Sequence, residues 1–138
     1  MRSCATPTGW PALSLLNSAL AACVFATLVH HVHNAQFLDE YPNMPAWLSP
    51  GFVYLAWAAA AAVGIAGSLL LRRGFRLPGA ALLLGYAGYN IDGLLHYTRA
   101  PLGTHTAGMN ATIFLEAATG TALLIAILWT VFSSPSAR

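Results

Sequence analysis

Four long apolar stretches constrain the fold of this chain more than any other feature. They cover residues 11–33, 52–71, 77–96 and 107–132, and each is close to the roughly 20 residues that a helix needs to cross a bilayer. A helix satisfies its own backbone hydrogen bonds, which lipid cannot do. With 57% hydrophobic and only 7% charged residues, the chain is predicted to be an all-α integral membrane protein with one transmembrane domain, residues 1–138.

The connections between the stretches predict how the helices are arranged. The segments LRRGFRLP and YTRAPLGTH are short, so the helices that they join are expected to be antiparallel neighbours in a four-helix bundle. The longest connection, residues 34–51, contains three prolines and cannot be a regular helix throughout. We predict an outer loop at the membrane interface, and the sharper alternative is a lid over a cavity.

The arginines predict the orientation, because positive residues in short loops favour the cytoplasmic side. Five of the six basic residues fall in segments that would share one side: Arg2, Arg72, Arg73, Arg76 and Arg138. We therefore expect both termini to be cytoplasmic in a bacterial-type inner membrane, with the lipid bilayer as the main partner. Five arginines divided among three segments form no nucleic-acid patch, so no nucleic-acid partner is expected.

One cysteine complicates this topology. The sequence Leu20-Ala21-Ala22-Cys23 resembles a bacterial lipoprotein cleavage box. The apolar run continues past it to Val32, which favours a retained helix over a cleaved leader. Cleavage at Cys23 stays open as an alternative, and it would leave three spans with the histidines on the same outer side.

Every acid and every histidine is predicted to lie in the outer half of the bundle, facing the periplasm or exterior. The set is His30, His31, His33, Asp39, Glu40, Asp92, His96, His105 and Glu116. A charged residue near the bilayer centre costs about 3 kcal/mol on insertion scales. Asp92 and Glu116 should therefore face partners or water, and Glu116 lies too deep to reach the surface comfortably.

Helical periodicity groups these side chains into stripes, because residues three, four and seven apart share a face. The predicted stripes are Cys23, Thr27, His30 and Asn34; Tyr89, Asp92, His96 and Arg99; and His105, Met109, Thr112 and Glu116. His33 lies at the margin of the first stripe. His31 should point about 100° away from it, so we expect His31 to be the histidine whose loss matters least.

Imidazoles and carboxylates from facing helices form the ligand set that zinc, copper or iron prefers. We therefore hypothesise a transition-metal site made of His30, His33, Asp92, His96, His105 and Glu116. Glu116 and Asp92 are the candidate catalytic groups of a membrane metalloenzyme acting on a lipophilic or small substrate. The sequence contains neither HExxH nor CxxC, so the constellation and not a motif carries the hypothesis.

Four other functions are compatible with the same residues. The protein could be a metal-free accessory or structural subunit of a membrane complex, with a membrane protein or a second copy of itself as partner. It could hold haem between histidines of two helices. It could be a metal chaperone at the outer face, or a metal-free enzyme in which histidine and Glu116 transfer protons.

Overall fold

The computed structural model describes residues 10–132, with side chains from Leu13 onward, and all regular structure in that range is helical. The five α-helices are α1 Trp10–Gln36, α2 Pro50–Arg72, α3 Arg76–Ile91, the single turn α4 His96–Arg99, and α5 Ala107–Phe132. Short 3-10 turns cover Leu38–Glu40, Asp92–Leu95 and Leu102–Thr104. The predicted all-α class is confirmed. Arg2 and Arg138, used in the orientation argument, lie outside the described residues.

Three of the helices are long and apolar enough to cross a membrane. These are the segments Leu13–Gln36, Pro50–Arg72 and Ala107–Phe132. The fourth long helix, α3, has 16 residues, which at about 1.5 Å per residue is somewhat short of a bilayer core. The four long helices form a bundle in which α1 contacts α2 and α5, and α3 contacts the same two helices.

The third apolar stretch is not one continuous α-helix to His96, as its hydropathy suggested. The α-helix ends at Ile91, and residues Asp92–Leu95 form a tighter 3-10 turn before α4 begins. The turn contains Gly93, whose missing side chain leaves room for the Glu116 carboxylate. Hydropathy does not report this change of winding.

The bundle has an apolar half and a polar half. Leucines and an isoleucine from α1, α3 and α5 fill the apolar half: Leu16, Leu20, Leu83, Leu123 and Ile127. In the other half, Tyr41 from the loop between α1 and α2 packs with Met109 and Ile113 of α5. The buried histidines and Glu116 belong to the polar half.

Glycines bring α2 and α3 into close contact. A Cβ added at Gly79 would lie 2.7 Å from the backbone nitrogen of Leu71 and 2.9 Å from the carbonyl oxygen of Gly67. Both neighbours are backbone atoms and cannot rotate away. The two helices can therefore approach this closely only without a side chain at Gly79, which is the small-residue packing common in membrane helices.

Replacing Gly79 by alanine should separate α2 from α3 and lower the free energy of unfolding by about 1–3 kcal/mol, as overpacking does. The matched control is Gly85→Ala, because a Cβ at Gly85 has no other heavy atom within 4 Å. Thermal unfolding in detergent, followed by circular dichroism, measures both variants. Equal midpoints for the two variants would contradict the packing assigned to Gly79.

Candidate functional site

A cavity of about 440 Å³ opens in the polar half of the bundle. Its walls come from α1, the following loop, α3, the 3-10 turn, α4 and α5. They are His30, His31, Asn34, Met44, Trp47, Tyr89, Asp92, Gly93, Leu95, His96, Arg99 and Glu116. Residues from all three predicted stripes therefore line one cavity.

The carboxyl group of Glu116 is one of the two most buried ionisable groups in this cavity, with His30. Its residue is only 2% exposed. Glu116 Oε2 lies 3.5 Å from His30 Nε2, and Oε1 lies 3.9 Å from His31 Nδ1. A Cβ on Gly93 would lie 2.6 Å from Oε2. Because an isolated buried carboxylate is costly, these two imidazoles and the space left by Gly93 decide where Glu116 can be accommodated.

The neighbours of His30 define which of its ring nitrogens carries a proton. The Thr112 hydroxyl donates to the carbonyl oxygen of Met109 at 3.1 Å. Thr112 Oγ1 therefore accepts the hydrogen bond from His30 Nδ1, 3.3 Å away. In the neutral ring Nε2 then carries a lone pair. This lone pair faces the Glu116 carboxyl group, which is attracted to it when the carboxyl group carries the proton.

His31 is turned away from the first stripe as predicted, but it also lines the cavity, so the expectation that it would lie outside the shared site is wrong. Its Nδ1 donates to the carbonyl oxygen of Thr27 at 2.9 Å, and its Nε2 accepts from the Tyr89 hydroxyl at 2.8 Å. The stripe argument counted only the face of α1 that looks towards α5. His31 faces α3 instead, and the cavity extends between both neighbours.

His96 brings a third imidazole into the cavity, beside His30. Its ring centroid lies 5.4 Å from that of His30 and 6.3 Å from that of His105. His96 is half-buried and lines the cavity. It belongs to α4, so the 3-10 turn that precedes α4 sets its position beside α1.

Two further polar side chains line the cavity. Asn34 is buried, and its Oδ1 has no hydrogen-bond partner among the described residues. Asp92 is exposed at the cavity wall. Buried polar atoms usually have partners, so the bare amide of Asn34 is suited to contact a molecule in the cavity.

His33 and His105 lie outside the cavity lining. His33 Nδ1 is 3.0 Å from the Tyr41 hydroxyl, and its ring packs against Phe37. His105 is buried, and its Nδ1 donates to the carbonyl oxygen of Pro101 at 3.1 Å. The Nε2 atom of His105 has no hydrogen-bond partner among the described residues. The ring of His105 lies beside that of His96.

A fully buried polar layer lies one turn from His31 and Glu116. Thr27 and Asn90, both 0% exposed, are hydrogen-bonded through their side chains. The Asn90 amide also donates to the Tyr86 carbonyl oxygen at 2.7 Å. Gly120 of α5 packs directly on Asn90, so this layer holds α1, α3 and α5 together beneath the cavity.

Within residues 10–132, no group of three or more His, Cys, Asp and Glu side chains already stands in an arrangement that would hold a metal ion. The closest approach is the pair of His30 and Glu116. Comparison with protein-family profiles, with curated proteins and with solved structures finds no match for this chain.

Sequence reasoning missed Tyr41, Gly93 and Asn90 as parts of the polar half. Tyr41 belongs to the loop that was expected at the membrane interface, but it is only 3% exposed and packs beside His30 and His96. Of these residues, only Gly93 could have been found from the sequence. It follows Asp92, and an Asp-Gly pair indicates a turn.

Replacing Tyr89 by phenylalanine should free Nε2 of His31 without changing His30. The hydroxyl that favours the Nδ1-protonated ring would be lost, so the population of the Nε2-protonated tautomer should rise. Imidazole ¹⁵N shifts of histidine-labelled protein in detergent report the tautomers. Tyr97→Phe is the control, because the Tyr97 hydroxyl bonds Asn110. Unchanged His31 shifts in Tyr89→Phe would contradict the assignment.

Proposed function

We propose that the protein is an integral membrane protein with a transition-metal site in the outer half of an antiparallel four-helix bundle. Both termini would be cytoplasmic, in a bacterial-type inner membrane. This orientation is supported by the contacts of α5, because the arginine-rich loop and the cavity lie at opposite ends of that helix. Arg76, next to the other arginines of its loop, donates to the carbonyl oxygen of Val131 near the end of α5, whereas the cavity contacts α5 at Glu116, in its first half.

The observation that carries the metal proposal is the pair formed by His30 and Glu116. The 3.5 Å between His30 Nε2 and Glu116 Oε2 is long for a hydrogen bond. Two ligand atoms bound to one tetrahedral zinc ion lie about 3.4 Å apart, given the usual Zn–N and Zn–O lengths. The separation therefore suits an ion held between these two atoms, and the lone pair on His30 Nε2 is free to bind it.

His96 is the third ligand in this proposal. Two imidazoles bound through nitrogen to one tetrahedral ion have ring centroids about 5.2 Å apart, and those of His30 and His96 are 5.4 Å apart. Because no three-residue group is already in ligand geometry, binding would include a rotation of the half-buried His96 ring. Of the six predicted ligands, His30, His96 and Glu116 form the proposed inner set.

The fourth position of such an ion would face the cavity, which is the open arrangement of catalytic zinc sites. A bound ion would supply Lewis acidity there. Asp92 lines the cavity with a free carboxylate and is suited to exchange a proton with a substrate. The amide of Asn34 would orient that substrate, and the apolar walls of Met44, Trp47 and Leu95 fit a small or lipophilic molecule.

A second candidate function is proton transfer without a metal. The absence of a complete ligand group within residues 10–132 favours it. Glu116 and His30 would then form an acid–base pair, with one proton shared between a carboxylate and an imidazole. The two candidates differ in whether metal accompanies the purified protein, so one measurement separates them.

Glu116→Gln should abolish stoichiometric metal binding, because an amide oxygen is a far poorer ligand for zinc than a carboxylate. The matched control is Glu40→Gln, which removes an exposed loop carboxylate. Elemental analysis after gentle purification, followed by Zn²⁺ titration of the chelator-treated protein, measures both. We expect near-stoichiometric metal in the parent and control and at least a tenfold weaker affinity in Glu116→Gln. A parent that binds no transition metal would overturn the proposal.

Gly93→Ala tests the same site without removing a ligand. The new methyl group would occupy the position 2.6 Å from Glu116 Oε2 and displace the carboxylate from His30. Second-sphere changes of this kind typically weaken metal binding by about 10–100-fold. Gly103→Ala is the control, because a Cβ there has open space around it. Equal Zn²⁺ affinities in both variants would contradict the position of the ion.

A further inference from the structure

A second cavity lies between α1 and α2, at the end of the bundle opposite the proposed metal site. Its volume is about 450 Å³, within the roughly 300–1,000 Å³ of ligand pockets. The described residues that line it, here called the arginine cavity, are Leu13, Ser14, Asn17, Ser18 and Arg72. Because one candidate span begins at Leu13 and another ends at Arg72, the arginine cavity lies where two helices would leave the membrane.

The polar residues of the arginine cavity come from facing sides of two helices. Ser14, Asn17 and Ser18 are three and four residues apart on α1, so their side chains share a face. On α2, Ser68 and Arg72 are four residues apart and share a face in the same way. The Ser68 hydroxyl donates to Asn17 Oδ1 at 3.3 Å, and this hydrogen bond joins the two faces.

The hydrogen-bonding groups of the arginine cavity are suited to an anion. The guanidinium of Arg72 can only donate. Because Asn17 Oδ1 accepts from Ser68, the two N–H groups of the Asn17 amide are directed elsewhere. The exposed hydroxyls of Ser14 and Ser18 add two further donors. A phosphate group matches this set, because its several oxygens accept hydrogen bonds and pair with a guanidinium through two of them.

The arginines around this cavity lack carboxylate partners. Arg72, Arg73 and Arg76 are all exposed, and the ion pairs of the described residues join histidines to Glu116 only. All four acidic side chains of the chain lie within the described range and belong to the other end of the bundle: Asp39, Glu40, Asp92 and Glu116. The charge that neutralises these arginines must therefore come from outside the described residues.

An apolar row on α2 favours a lipid over a soluble phosphate compound. Ile65 and Leu69 share a face with Arg72, and their side chains are 49% and 46% exposed. On a helix that spans a bilayer, such side chains contact acyl chains. A phosphate group bound to Arg72 would therefore have its acyl chains beside this row. Basic pockets between spanning helices commonly bind anionic lipid headgroups.

We infer that the arginine cavity binds the phosphate group of an anionic phospholipid. Arg72 pairs with the phosphate, and the amide of Asn17 donates to its oxygens. The acyl chains lie along Ile65 and Leu69. The inference is independent of the proposed metal site, because it uses none of the residues of that site and concerns the other end of the bundle.

Lipid titration of the full chain in a neutral detergent measures this binding. The probe is dioleoyl phosphatidylglycerol, and phosphatidylcholine with the same acyl chains is the zwitterionic comparison. Native mass spectrometry counts bound lipids and gives the affinity of each. Glycerol 3-phosphate, which has a phosphate group and no acyl chain, is added as a competitor to separate a lipid site from a site for soluble phosphates.

Arg72→Gln should weaken phosphatidylglycerol binding about tenfold or more, as loss of a charge-assisted hydrogen bond does. Arg73→Gln is the matched control, because it removes the same charge from the next residue, which does not line the arginine cavity. We expect the control to change the affinity by less than about threefold, since an exposed charge contributes little. Phosphatidylcholine should bind more weakly than phosphatidylglycerol to the parent and equally to both variants.

Asn17→Asp tests the cavity from the other helix. The new carboxylate still accepts from Ser68, but it replaces the amide donors by a negative charge that repels phosphate. Phosphatidylglycerol affinity should again fall about tenfold or more. Gln36→Glu adds the same charge at an exposed position near the other end of α1 and should leave the affinity unchanged. Circular dichroism of each variant verifies the fold, and if Arg72→Gln unfolds, Asn17→Asp decides.

Three outcomes would overturn the inference. Equal affinities of the parent for the two lipids would show that the headgroup charge is not recognised. Equal losses in Arg72→Gln and Arg73→Gln would show general attraction to the arginines in place of a site. Displacement of phosphatidylglycerol by an equal concentration of glycerol 3-phosphate would show a site for a soluble phosphate compound. A protein that binds this lipid and no metal would overturn the proposed metal site alone.

Discussion

The constraint on which the polar half depends is the burial of one carboxylate, that of Glu116. A buried acid needs partners, and the nearest in this bundle is His30 of α1, whose Nε2 lone pair faces the Glu116 carboxyl group and can accept its proton. Space for the carboxylate comes from Gly93, in the turn that follows α3. A single side chain of α5 thus contacts both α1 and the turn that follows α3.

The same constraint links the loop to the site. The ring of the loop residue Tyr41 packs beside those of His30 and His96, and Met44 and Trp47 of the same loop line the cavity. The loop is therefore part of the polar half and does more than connect two helices.

Hydropathy was sufficient to predict the helical class, because long apolar runs have few alternatives in lipid. Of the four spans that it predicted, three are helices long and apolar enough to cross a membrane. Helical periodicity was sufficient to place His30 and Glu116 on facing stripes. It failed for His31, since the face that a residue presents is meaningful only when all neighbouring helices are known. It also failed for Tyr41 and Gly93, whose roles arise from contacts across the bundle and leave no local pattern.

X-ray absorption of the zinc-loaded protein tests the metal site most directly, because it counts ligands by element and distance. The account predicts a four-coordinate first shell of nitrogen and oxygen at about 2.0–2.1 Å. Outer-shell scattering should correspond to two imidazoles, from His30 and His96, with no sulfur. A shell containing sulfur, a six-coordinate hydrated ion, or a shell without imidazole would contradict the account.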